Sequence, residues 1–163
     1  MTHNTVILKD LPNKRLHVTR EFNAPVNQVW KAWTDSNLLD KWWAPKPWRA
    51  QTKLMDFRAG GQWLYCMADP DGEKHWSHVT IKTVDEPHSF TTACVFCDEN
   101  GNTDNNFPVI NWFVEFIVTG TGTKVEVTIS ADKEANLQKL IEMGFEGGFT
   151  MGLNNLDELL QEL

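Results

Sequence analysis

The sequence predicts an α+β domain: a seven-stranded antiparallel sheet, two short helices after its first strand, and one long C-terminal helix. Three observations carry this. Residues 16 to 23, LHVTREFN, alternate apolar and polar side chains. From Trp48 to about Ala131, short runs of strand formers are separated by turn residues. After Ser130 the apolar spacing changes from two to that of a helix.

In the first strand Leu16, Val18 and Phe22 share one face against His17, Thr19 and Glu21, and Arg20 falls on the apolar side. Pro25 suits a first helical turn. Val26, Val29, Trp30 and Trp33 then follow at i, i+3, i+4 and i+7, predicting an amphipathic helix to about Trp33. Asp35 or Ser36 can cap a second helix over NLLDKWW, which Pro45 and Pro47 stop near Trp43. Six more strands are expected at about 49 to 57, 61 to 69, 75 to 84, 89 to 97, 110 to 119 and 123 to 131. The turns RAGGQ, DPDGEK, DEPH and TGTGT and the long polar loop DENGNTDNNFP, with Asn100-Gly101 inside it, punctuate them. Short connections make neighbours antiparallel. Leu137, Ile141, Phe145, Phe149, Leu156, Leu160 and Leu163 recur at helical spacing and are read as one continuous helix.

The totals fit one domain. A chain of 163 residues, 41% hydrophobic and 23% charged, can bury roughly 70% of its unfolded surface. A net charge of -7 argues against nucleic acid and anionic membranes, which select clustered Lys and Arg. No window approaches the ~20 apolar residues of a spanning helix and the first residues lack a secretory pattern, so a cytoplasmic protein without membrane insertion is expected. Cys66, Cys94 and Cys97 are an odd set in a chain too large to need staples, which predicts free thiols.

Glycines Gly144, Gly147, Gly148 and Gly152 interrupt the final helix at about 1 kcal/mol each relative to alanine. Gly144, Gly148 and Gly152 fall within a sector about 80° wide beside Phe145 and Phe149. Two readings stay open. The row serves close helix-to-sheet contact or a bend, or its missing side chains leave volume for an apolar ligand site. Candidate walls are Trp63, Tyr65 and Met67 on one strand face and Trp112, Val114, Phe116 and Val118 on another. Core formation explains most such aromatics, since each buries about 150 to 250 Å².

Chemistry is sparsely signalled. His75 and His78 lie three apart on a strand, on opposite faces, which disfavours a shared metal. The sulfurs of Cys94-Val-Phe-Cys97 diverge in the same way. No phosphate loop, G-x-S-x-G elbow or nucleophile triad is evident. Arg20, Tyr65, His78 and Glu115 remain as polar groups able to orient a ligand carboxylate, carbonyl or hydroxyl. For Arg20 an ion pair with Glu115 or another cavity-side carboxylate is the simpler expectation, because an unpaired buried guanidinium is costly.

Three segments together carry a resemblance: VTREFNAPVNQVWKAWTDSNLLDKWWAPKPW, DFRAGGQW with PDG soon after, and MGFEGGFTMGLNNLDELL. The chain resembles, over about residues 16 to 162, the family named after the activator of the heat-shock chaperone ATPase, within the START-related, polyketide-cyclase-like (SRPBCC) superfamily. The resemblance implies a helix-grip fold, a curved sheet wrapping the C-terminal helix around a cavity. Residues 1 to 15 are read as an extension and 16 to 163 as the single domain. The family pattern has Gly-Trp where this chain has Gly148-Phe149, which removes an indole N–H from the helix, and often an aspartate at Asn154.

Fold alone does not assign chemistry. The leading expectation is a binding protein for a hydrophobic or aromatic small molecule, with cavity residues Trp43, Trp48, Trp63, Tyr65, Met67, His78, Trp112, Gly148, Phe149 and Gly152, and no assigned catalytic residue, metal or cofactor. A cyclase- or hydrolase-type cavity enzyme is the alternative. Chaperone stimulation ranks third, because the chain supplies only the one domain. Both a monomer and a homodimer fit the sequence. In KWWAPKPW, Trp42 and Trp43 leave a helix end in different directions, so one belongs to the core and the other, with Trp48, to the cavity mouth.

Overall fold

The computed structural model describes residues 4–103 and 108–163. The part of the long polar loop at residues 104–107 lies outside the described residues. Strands β1 (Val6–Asp10), β2 (Arg15–Phe22), β3 (Arg49–Asp56), β4 (Gln62–Ala68), β5 (Lys74–Asp85), β6 (Ser89–Cys97), β7 (Ile110–Val118) and β8 (Thr123–Ser130) form one sheet. Its order is β1-β2-β8-β7-β6-β5-β4-β3, and every neighbouring pair is antiparallel. Helices α1 (Val26–Thr34) and α2 (Ser36–Trp42) follow β2; α3 (Glu134–Glu142) and α4 (Phe145–Glu162) follow β8.

The sheet has eight strands rather than seven. The extra one, β1, lies inside the stretch read as an extension and pairs with β2, Ile7 opposite Val18 and Leu8 opposite His17. Its sequence VILKD gave no alternation to read. Val6 and Leu8 are largely exposed, and Ile7 alone among its apolar residues packs on the core.

The short helices fall where the spacing placed them. Val29, Trp30 and Trp33 are the buried stripe of α1, and the Asp35 carboxylate accepts the backbone N–H of Asn37 at 2.9 Å to cap α2. Trp30 meets the edges or faces of Phe57, Phe90 and Phe116, tying α1 to the sheet.

The single long C-terminal helix is a correction. It is broken at Gly144, whose φ of 87° lies in the left-handed region that glycine tolerates without a Cβ penalty. The continuous apolar spacing masked the break, because a left-handed residue redirects the axis without interrupting the pattern of apolar residues. Among the described residues no helix is long and apolar enough to cross a membrane.

Gly152 decides between the two readings of the glycine row at its own position. A β-carbon there would sit 3.1 Å from the Trp43 carbonyl and 3.4 Å from that of Trp42, so the residue serves close approach of α4 to the end of α2. Asn155, one turn on, fastens the same contact by donating to the Ala44 carbonyl at 3.1 Å and that of Trp42 at 3.4 Å. Gly148 differs: its β-carbon would meet only Pro45, at 3.7 Å.

Candidate ligand cleft

The cleft starts from the end of α2. Trp42 turns into the core, 1% exposed, and donates its indole N–H to the Ala32 carbonyl at 2.8 Å. Trp43 turns the other way and donates to the Tyr65 hydroxyl on β4 at 2.9 Å. Alternation along β4 puts Trp63, Tyr65 and Met67 on one face, and Trp63 stacks on Tyr65 at 4.0 Å. From the opposite side α4 presents Phe145 and Phe149, stacked at 5.3 Å, with Trp112 of β7 edge-on to both.

Between these walls lies a cleft of about 250 Å³. Of the predicted residues, Trp43, Tyr65, Met67, Trp112, Gly148 and Phe149 line it. Trp63 lines a smaller inner chamber of about 60 Å³, which shares Trp43, Tyr65, Cys94 and Trp112 with the outer cleft. The break at Gly144 places Leu140 of α3 and Met143, just past its end, at the rim.

Three predicted residues stand elsewhere. Trp48 is half-buried outside the cleft, its ring 5.3 Å from that of His75, which does line the cleft. His78 points to the far face of β5, where its Nε2 bonds the Gln62 side chain at 2.8 Å. Gly152 is sealed against α2. Ser77 takes the inward place assigned to His78: it sits directly across from Tyr65 in the β4–β5 register, is 5% exposed, and lines the cleft. The alternation Ser77, Val79, Ile81 carried that signal. Glu115 likewise faces away, because Val114 and Phe116 are the buried neighbours on β7.

Arg20 does face inward, 3% exposed, but its partner comes from α4. Its guanidinium lies 3.3 Å from the Asp157 carboxylate and donates to Asn154 and Thr5, each at 2.8 Å. This group belongs to the core and lines neither space.

A family model described as "Activator of Hsp90 ATPase homolog 1-like protein" matches residues 23–161. The chain belongs to that family. Its fold agrees with solved structures. A Mycobacterium smegmatis protein is 34% identical, with a TM-score of 0.89 over 96% of this chain and 97% of that one. An Arthrobacter aurescens protein is 28% identical, with a TM-score of 0.91 over 97% and 92%. A Nitrosomonas europaea protein is 27% identical, with a TM-score of 0.80 over 95% and 98%. No curated protein matches the chain.

In this member of the activator of Hsp90 ATPase homolog 1-like family two groups of the cleft, Tyr65 and Cys94, are held neutral by burial. Burial pushes the Tyr65 hydroxyl well above the ordinary phenol range, although the hydrogen bond from Trp43 and the nearby Ser77 hydroxyl oppose it. Burial, with Cys97 nearby, pushes the Cys94 thiol up to about 12. Two results are expected at Cys94. At pH 8 iodoacetamide leaves it unlabelled in the native protein and labels it in urea, read by peptide mass spectrometry. A thiol that ionises near 9 unfolded and near 12 folded stabilises the fold fully below about pH 9 and progressively less towards 12. The urea midpoint therefore falls more steeply between pH 9 and 10.5 in the wild type than in Cys94→Ala.

Proposed function

We propose that this protein binds a neutral, largely apolar small molecule of planar shape in the cleft between the sheet and the α3–α4 corner. One observation carries the reading: among the described residues lining the cleft there is no Asp, Glu, Lys or Arg, while Trp43, Trp112, Phe145 and Phe149 supply ring walls. An ionised ligand would lose its hydration there without a counter-charge, at a cost of several kcal/mol. A flat hydrocarbon gains about 25 cal/mol for each Å² removed from water.

Neither Tyr65 nor Cys94 suits general acid–base work, which needs a group that titrates near neutral pH, because burial pushes both far above it. Stimulation of a chaperone ATPase draws on the family's name alone.

Titration with N-phenyl-1-naphthylamine, a neutral dye that brightens in apolar surroundings, tests the proposal. One saturable site per chain is expected, with thermal stabilisation that grows with free dye, about 2.7 kcal/mol at a hundred times Kd. A linear, non-saturating signal and an unmoved Tm would overturn it.

A further inference from the structure

We infer that the cleft selects a ligand with a neutral acceptor oxygen, a ketone, quinone or ester carbonyl, which takes one hydrogen bond from the Tyr65–Ser77 hydroxyl pair. This rests on the cleft being a binding site and adds the chemical class of what binds. Tyr65 stands where the outer cleft and the inner chamber meet, since it lines both. Its hydroxyl is 2.9 Å from the Trp43 indole nitrogen, an N–H that can only donate, so the phenol oxygen is the acceptor there. Ser77 sits opposite Tyr65 in the strand register and lines the same cleft, so it brings a second hydroxyl to that wall.

A count of protons follows. The three groups carry one N–H and two O–H donors. Trp43 donates to Tyr65, so the phenol oxygen is taken as an acceptor and its own proton remains to be given. A bond between the two hydroxyls would use one more donor and still leave one hydroxyl proton over. A hydroxyl proton is therefore left to donate, and both residues line the cleft. An unmade hydrogen bond from a buried donor is costly, so the pair favours a partner that accepts.

The same inventory rejects acids. Among the described lining residues there is no Lys or Arg, and the one imidazole, His75, lies 3.4 Å from the Glu73 carboxylate and packs its ring against Trp48. A carbonyl needs one donor and no counter-ion.

Three naphthalenes of similar size separate the possibilities: 2-acetylnaphthalene, 2-isopropylnaphthalene and 2-naphthoate, titrated against the wild type and against Tyr65→Phe/Ser77→Ala. The double variant is expected to bind the ketone about five- to tenfold more weakly and the hydrocarbon within twofold of wild type. Comparing each ligand across the two proteins cancels its own hydration. The infrared carbonyl band of the bound ketone is expected at lower frequency in the wild type than in the variant, a signature that a merely structural role for the pair would not move. Naphthoate is expected to bind far more weakly than the ketone.

The inference is overturned if ketone and hydrocarbon weaken alike, if the wild-type carbonyl band shows no hydrogen-bond shift, or if naphthoate binds as tightly as the ketone. The first and second outcomes leave the apolar cleft standing as a binding site. Failure of the hydrocarbon itself to bind the wild type would remove that reading and this one together. Should the double variant not fold, the wild-type band and the naphthoate comparison still decide.

Discussion

Gly148→Leu is expected to abolish binding of the naphthylamine dye, raising Kd more than about a hundredfold, while leaving the protein at least as stable as wild type. The β-carbon of residue 148 would meet only Pro45, at an ordinary 3.7 Å, so the backbone need not move. The rest of the leucine side chain has to enter the cleft that Gly148 lines, whose volume is about 250 Å³. Leucine also favours a helix interior over glycine by about 0.8 kcal/mol. Stability and binding therefore move in opposite directions, which no general damage to the fold would produce. Dye titration and a thermal melt on the same sample check both. An unchanged Kd would place the dye outside the cleft.

Asp157→Ala is expected to destabilise the fold by about 3 to 5 kcal/mol and to lower Tm by about 10 °C. The substitution removes the carboxylate facing a guanidinium that is 3% exposed and leaves Asn154 and Thr5 as its remaining hydrogen-bond partners. Arg20 Nε already has no partner among the described residues. The penalty belongs to the stranded charge rather than to the pair. Arg20→Met combined with Asp157→Leu should accordingly regain most of the lost stability. Urea midpoints of the single and double variants measure this. A loss below about 1 kcal/mol in Asp157→Ala would mean that water reaches the guanidinium.

Much of this arrangement could be read from residue spacing. The Trp30/Trp33 stripe, the Asp35 cap and the six strands after Trp48 follow from local periodicity, and local periodicity survives folding. Strand parity is equally legible and corrects the expectation for two polar residues. The run Ser77, Val79, Ile81 turns His78 outward, and Trp112, Val114, Phe116 turns Glu115 outward. Other features needed the third dimension. Arg20 announced itself as inward-facing, but its carboxylate lies 137 residues away on a different element. The four final-helix glycines look alike as letters. Gly144 takes a backbone angle no other residue enters freely, Gly152 lies against carbonyl groups, and Gly148 borders open volume. Trp43 was distinguishable from Trp42 only as pointing elsewhere; the Tyr65 hydroxyl that fixes its direction belongs to a strand not adjacent in sequence.

The pairing of β2 with β8 joins residues 15–22 to residues 123–130. On a ribosome the β1–β2 hairpin emerges before the strand that covers its inner edge, which is made only after about a hundred more residues. For that interval Leu16, Val18 and Phe22 lack their cross-strand neighbours Ile129, Val127 and Thr123, and an open apolar edge is available to any other unpaired strand. Contacts of such long sequence separation also slow folding in general. The hairpin's survival during synthesis is thus a kinetic matter, and conditions that lengthen translation of residues 23–122 should cost yield of folded protein before they cost any stability once it has formed.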